Sequence, residues 1–134
     1  MKNCIFCKII KGELPSWKVY EDKNTLAILT LGPVNPGHTL VMPKKHYENL
    51  FDIPEKEAMN LMKTIKKISI PIMKAVNAQG INLGMNNIIE QKIMHAHIHI
   101  MPRFKSDGLV CWPGKKYKKE KMDEILKKIK KELK

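Results

Sequence analysis

Cysteine is scarce in this chain of 134 residues, and the three present, two of them only three positions apart, exclude a disulfide framework. A reducing, cytoplasmic setting is therefore expected. Long apolar runs are also missing. Nowhere do about 18 apolar residues follow one another, so no transmembrane span is expected, and the apolar stretch that ends at Ile10 is broken by Cys7 and Lys8, so no signal peptide is expected. No internal repeat is found, which excludes a solenoid or propeller. Acids are few. Against 25 Lys and Arg stand 13 Asp and Glu, a net charge of +12, and residues 114–134 alone carry 10 Lys against 4 acids. A basic surface concentrates anions such as nucleotides and nucleic acid, but charge speaks to association and solubility and not to fold.

What is present suits one domain over residues 1–134, because a chain of this length buries enough surface for a core without covalent staples. Residues 3–11 end at Gly12, a usual helix stop, and predict a short helix. The segments 17–21 and 25–31, parted by Asp22-Lys23-Asn24, predict a hairpin. After a stretch with two prolines, residues 38–43 predict a third strand with His38 at its entrance. Asp52 and Glu55 have capping-box spacing ahead of a long amphipathic helix starting near Pro54, which Pro71 should kink or end. Residues 80–85 and 94–101 predict two more strands, and 115–134 a Lys-rich helix with Met122, Ile125, Leu126, Ile129 and Leu133 on one stripe. The order predicts an α+β domain: a five-stranded antiparallel sheet with its helices to one side.

The decisive segment is His95-Ala96-His97-Ile98-His99-Ile100-Met101. In a strand alternate side chains share a face, so the three histidines should line up about 6.6 Å apart while Ala96, Ile98 and Ile100 enter the core. Two chemistries fit such a row. Histidines in His-x-His pairs can ligate zinc, or a neutral imidazole can act as a nucleophile. The nucleophile needs one free nitrogen, and its other nitrogen must donate to a fixed acceptor that sets the tautomer.

This row resembles the histidine-triad (HIT) family, whose signature H-φ-H-φ-H-φ-φ has apolar residues at each φ. The likeness extends through Pro33-Val34-Asn35-Pro36-Gly37-His38-Thr39-Leu40-Val41-Met42-Pro43-Lys44-Lys45-His46 and to Phe6-Cys7-Lys8-Ile9-Ile10. The resemblance implies a HIT-like fold whose sheet continues across a homodimer. It implies a purine nucleotide substrate attacked at its α-phosphate by His97, with His99 and His38 assisting, no metal in the chemistry and a nucleotidyl-histidine formed on the way. It places Phe6 and Ile9 at the base, Thr30 and Leu31 at the ribose, and Asn86, Gln91 and Lys92 with His97 and His99 at the phosphate. Two positions depart from the family pattern. Thr30 stands where an Asp or Asn is usual, and Glu90-Gln91-Lys92-Ile93 replaces the usual "GQ[ST]V".

Cys4 and Cys7 form a C-x-x-C pair, and the resemblance adds His46 and His95 as the ligands that would close a structural Zn2+ site. Trp112-Pro113-Gly114 resembles the phosphoramidase branch, in which a tryptophan reaches the partner's active site. The implied activity is a nucleotidyl hydrolase or transferase acting on an adenosine phosphoramidate such as AMP-lysine, or on a dinucleoside polyphosphate. A non-catalytic nucleotide or nucleic-acid module carried by the basic tail, and a metallohydrolase that uses the triad as ligands, are the other function classes. Nucleic acid is not expected as a partner, and neither is a membrane.

Overall fold

A computed structural model describes residues 3–134. Its elements are α1 (Ile5–Ile10), β1 (Lys18–Glu21), β2 (Thr25–Leu29), β3 (Thr39–Pro43), α2 (Glu55–Val76), β4 (Gly80–Gly84), β5 (Ile98–Arg103) and α3 (Lys119–Glu132). The five strands form one antiparallel sheet in the order β1-β2-β3-β5-β4. The expected α+β architecture is thus present.

The helices do not all lie to one side, as the sequence had suggested. Ala27, Val41 and Ile100 point from the sheet to α2, where Leu61, Ile65, Ile68 and Ile72 cover them. Leu26, Ile28, Leu40 and Met42, of the opposite parity, are packed against Phe6 and Ile9 of α1. Strands β2 and β3 are therefore apolar on both faces, and each face needs its own cover. Burying each large aliphatic side chain in these two layers contributes about 1.5–3 kcal/mol. The α1 layer is the thinner one, and it leaves room for a cleft beside the helix.

Three local expectations are corrected. Strand β5 starts at Ile98 and not at Met94, so His95 and His97 precede it. Its ladder with β3 runs Val41↔Ile98, Leu40↔His99 and Thr39↔Ile100, and just beyond it Pro43 has no N–H to offer. The chain turns away there, and Ala96 N–H donates to the Tyr47 carbonyl at 2.7 Å. Asp52 is not the cap of α2. The cap position falls at Pro54 without a side-chain bond, while Asp52 Oδ2 accepts from Glu48 N–H at 2.7 Å. Of the two outcomes expected at Pro71, the early end does not occur, since the helix runs on to Val76. Both Pro71 and Lys67, whose carbonyl loses its partner, lie on the exposed side, where water can take the freed group.

Asn77 closes α2 in the left-handed conformation. Gly37, at φ +88°, lets the loop before β3 pass over the end of α2. A Cβ there would lie 3.1 Å from Val76 Cγ1 and 3.2 Å from Pro102 Cγ, so the bare backbone is what seats His38 at the head of β3. Helix α3 forms as expected but buries none of its residues, and Met122, Leu126, Ile129 and Leu133 stay at least half exposed. Among the described residues no helix is long and apolar enough to cross a membrane.

Candidate functional site

His99 pairs with Leu40 in the ladder, so it faces the α1 side of the sheet. His97, two residues earlier, faces the same way, and the two rings lie 5.1 Å apart. His38 completes the group, its Nε2 2.8 Å from His99 Nδ1. The three open into a cleft of about 480 Å3 lined also by Phe6, Thr30, Leu40, Asn86, Lys92 and Ile93.

The hydrogen bonds fix every tautomer in this row. His97 Nδ1 lies 2.7 Å from the His95 carbonyl, which can only accept, so the proton sits on Nδ1 and Nε2 keeps a free lone pair. That is the fixed acceptor a nucleophilic imidazole requires. The backbone N–H of Val34 donates to His38 Nδ1 at 3.1 Å. His38 therefore carries its proton on Nε2 and donates it to His99 Nδ1. His99, neutral and accepting on Nδ1, must then present Nε2–H as a donor. The result is an ordered chain from a backbone amide through two imidazoles to one outward N–H, beside an imidazole with one free lone pair.

The electrostatics keep this row neutral. Burial pushes His38 and His97 below the usual histidine value, against the opposing bond from His97 to the His95 carbonyl. Burial, reinforced by His97 and His38, pushes His99 down to about 4. At neutral pH none of them carries a proton that would block the lone pair.

The entrance of His38 is held by a network that sequence reasoning missed. Asn35 Nδ2 donates to the Pro102 carbonyl at 2.8 Å and to Asp107 Oδ2 at 3.1 Å. Asp107 in turn takes the Arg103 guanidinium through Nε at 2.6 Å and Nη2 at 3.0 Å. This clamp ties the 33–37 loop to the end of β5, and Arg103 beside it holds the Asp107 carboxyl well below the usual carboxylate range. The i, i+4 spacing of Arg103 and Asp107 was the available signal.

His95, the first of the row, turns away from the cleft. It is fully buried, and its Nε2–H donates to the Pro43 carbonyl at 2.8 Å, which leaves Nδ1 free on the other side. There it meets Cys4 Sγ at 3.4 Å and Cys7 Sγ at 3.6 Å, while His46 Nδ1 lies 3.3 Å from Cys7 Sγ. All four donor atoms lie within 4.8 Å of one another. A tetrahedral zinc with bonds of about 2.3 Å to sulfur and 2.0–2.1 Å to nitrogen sets S and N ligands roughly 3.5 Å apart, so the donors fit by chemistry and by spacing. Burial, and then the adjoining Cys4, pushes the Cys7 thiol up, a penalty that a bound cation would reverse.

Phe6 joins the two clusters. Its ring stands edge-on to His97 at 5.1 Å and to His95 at 5.8 Å, and it sits between the two cysteines in α1.

Of the sequence-predicted residues, Phe6, Thr30, Asn86, Lys92, His38, His97 and His99 line the cleft. Three others do not. Ile9 is in the core below α1, and Leu31 is 84% exposed beside Thr30. Gln91 spends its amide on the Glu48 and Ile93 carbonyls and accepts from Ile88 N–H, so it shapes the loop before the triad. Gly32, Leu40, Glu90 and Ile93 line the cleft without having been foreseen. Trp112 is 83% exposed and lies with Asn82, Met101 and Arg103 around a separate hollow.

Comparison with known proteins gives a consistent picture. Residues 11–106 match the HIT domain. The chain is 46% identical to an uncharacterized HIT-like protein of Methanocaldococcus jannaschii, over 95% of its own length and 98% of that protein's. It is 36% identical to adenosine 5'-monophosphoramidase HNT1 of Saccharomyces cerevisiae, over 94% and 80% of the two lengths. Among solved structures, a zinc-bound histidine triad family protein from Mycobacterium smegmatis superposes with a TM-score of 0.77 at 30% identity, covering 98% of this chain and 96% of that one.

Proposed function

The chain belongs to the HIT domain family, and from that premise we propose that it is a nucleotide hydrolase or transferase that cleaves a purine nucleoside phosphoramidate at its α-phosphate through His97. The carrying observation is the pair of opposite tautomers: a lone pair on His97 Nε2 and a donor on His99 Nε2, side by side in one cleft. Phe6, Leu40 and Ile93 offer apolar surface for a base, Thr30 a hydroxyl for the sugar, and Lys92 and Asn86 polar groups for the phosphate.

In this reading His97 Nε2 attacks phosphorus and a new P–N bond forms while the bond to the leaving amine breaks. The departing nitrogen keeps the bonding pair and takes a proton from water in the open cleft. The Nδ1 proton of His97 stays on the ring, and its bond to the His95 carbonyl steadies the positive charge that develops there. His99 Nε2–H stabilises charge on a phosphoryl oxygen, held in place by His38 and the Val34 amide. Water then attacks the nucleotidyl-histidine, releasing the nucleotide and regenerating the imidazole. Dinucleoside polyphosphates contain the same α-phosphate and form a second substrate class for this site. The name of the yeast relative favours the phosphoramidate.

Cys4, Cys7, His46 and His95 would hold zinc as a closed structural site. These four residues would together fill a tetrahedral ion's coordination, so the site would serve the fold and offer no position to substrate. His95 would then have two uses, as ligand through Nδ1 and as orienter of His97 through its carbonyl. We further propose a homodimer paired along β4, one of the two edge strands of the sheet.

Changing His97 to Ala tests the assignment. Hydrolysis of an adenosine phosphoramidate should fall by at least about three orders of magnitude while equilibrium dialysis still detects nucleotide binding, since the imidazole supplies the covalent step and little of the affinity. Wild-type turnover by the variant would refute the mechanism.

A further inference from the structure

Residues 85–92, which lead into the histidine row, contain two side-chain-bearing residues in the left-handed region, Ile88 at φ 71° and Glu90 at φ 61°. A β-branched residue there is strained, and such strain persists only where neighbours over-determine the backbone. They do so here. The Gln91 side chain bonds on both sides of Glu90, to Ile88 N–H and to the Ile93 and Glu48 carbonyls. Asn86 Nδ2 donates to the Glu90 carbonyl at 3.3 Å, and Asn87 Oδ1 accepts from Leu50 N–H at 2.7 Å. The backbone of Glu90 is thus pinned at the cleft.

Glu90 is the one carboxylate among the residues that line this cleft, and Lys92 the one ammonium. Among the described residues Glu90 makes no ion pair, and its side chain takes no hydrogen bond. A carboxylate held beside a phosphate repels it, the more so the more charge the ligand carries. The arrangement becomes favourable when the ligand brings a cation of its own. A nucleotide joined to a simple phosphate chain brings none. A nucleotide joined through nitrogen to an amine that bears a second ammonium group does, and it then matches Lys92 with its phosphate and Glu90 with its tail.

Resting on the phosphoramidate reading above, we propose that Glu90 is a specificity-determining residue that selects conjugates whose leaving amine carries a distant positive charge, such as diamines and basic amino acids, and disfavours polyphosphate and acidic leaving groups.

The test compares three adenosine 5'-phosphoramidates that share the same P–N bond and chain length and differ only in the far end of the leaving group: 1,6-diaminohexane, hexylamine and 6-aminohexanoate. For the wild-type protein kcat/KM should fall in that order, and the spread should narrow as ionic strength rises from about 10 to 300 mM. Glu90→Gln should cut the ratio of the cationic to the anionic conjugate by about fivefold or more. Glu90→Gly, which suits a left-handed backbone, should do the same and guards against loss of folding. A ratio that neither variant changes overturns the inference and leaves the hydrolase reading standing. If the wild-type protein turns over none of the three, the hydrolase reading falls and the inference with it.

Discussion

At the scale of single residues, the histidines of the cleft hold tautomers that other groups impose. His38, His97 and His99 are all neutral imidazoles, yet a backbone amide at one end and a carbonyl at the other place their protons on different nitrogens. The same burial that keeps them neutral links stability to pH. His99 titrates near 4 when folded, against an ordinary value of about 6.5 when unfolded, and His38 is shifted in the same direction. The folded state then binds fewer protons than the unfolded state, so the stability these groups contribute is complete above about pH 6.5 and is lost as pH falls towards 4. Thermal melting followed across that window should show the midpoint dropping steadily. A His99→Gln variant should lose part of that slope, and an unchanged slope in the variant would contradict the assignment.

At the scale of elements, α1 is only six residues long and would be marginal alone. Its hold on the sheet comes from Phe6 and Ile9 on the apolar layer and from the Cys4 and Cys7 donors at its start, reaching His46 beyond β3 and His95 before β5. Purified protein should therefore contain about one zinc per chain, and stripping it with a chelator should lower the melting temperature more than it lowers kcat. Because Phe6 rides on the same helix, KM for the nucleotide should rise as the metal leaves. Metal analysis that finds no zinc in protein grown with zinc available would sink this assignment.

Much of this level was legible in the sequence. The period of the long helix and the turn residues between β1 and β2 each carry a local signature that packing did not override, whereas of the histidine row only His97 and His99 share the cleft. Other features depend on contacts distant in sequence. The late start of β5 follows from Pro43 on another strand, and the split of β2 and β3 between two apolar layers could not be assigned before the helices were placed. Glu90 stood out in the sequence as a departure from the family pattern, but its place in the cleft could not be read there, because it depends on a left-handed backbone that an isolated Glu does not favour.

For the whole molecule, β4 leaves one edge of the sheet unpaired, and Met59, Met62 and Ile70 of α2 are exposed large apolar side chains. Two-fold pairing is the commonest way to satisfy such an edge. Sedimentation at micromolar concentration should show a dimer of the 15.5 kDa chain. Trp112, exposed near that edge with Asn82, should then approach the partner's cleft, so Trp112→Ala should alter substrate choice more than folding. A monomer that still turns over phosphoramidate would refute both the dimer and the shared site.

The covalent step proposed at His97 is read most directly from the stereochemistry at phosphorus. Each in-line displacement inverts the phosphorus centre, so attack by His97 followed by attack by water gives net retention. An adenosine phosphorothioamidate of known configuration, hydrolysed in oxygen-18 water and converted to a product of defined chirality, should show retention. Inversion would mean that water attacks directly, with no nucleotidyl-histidine on the path.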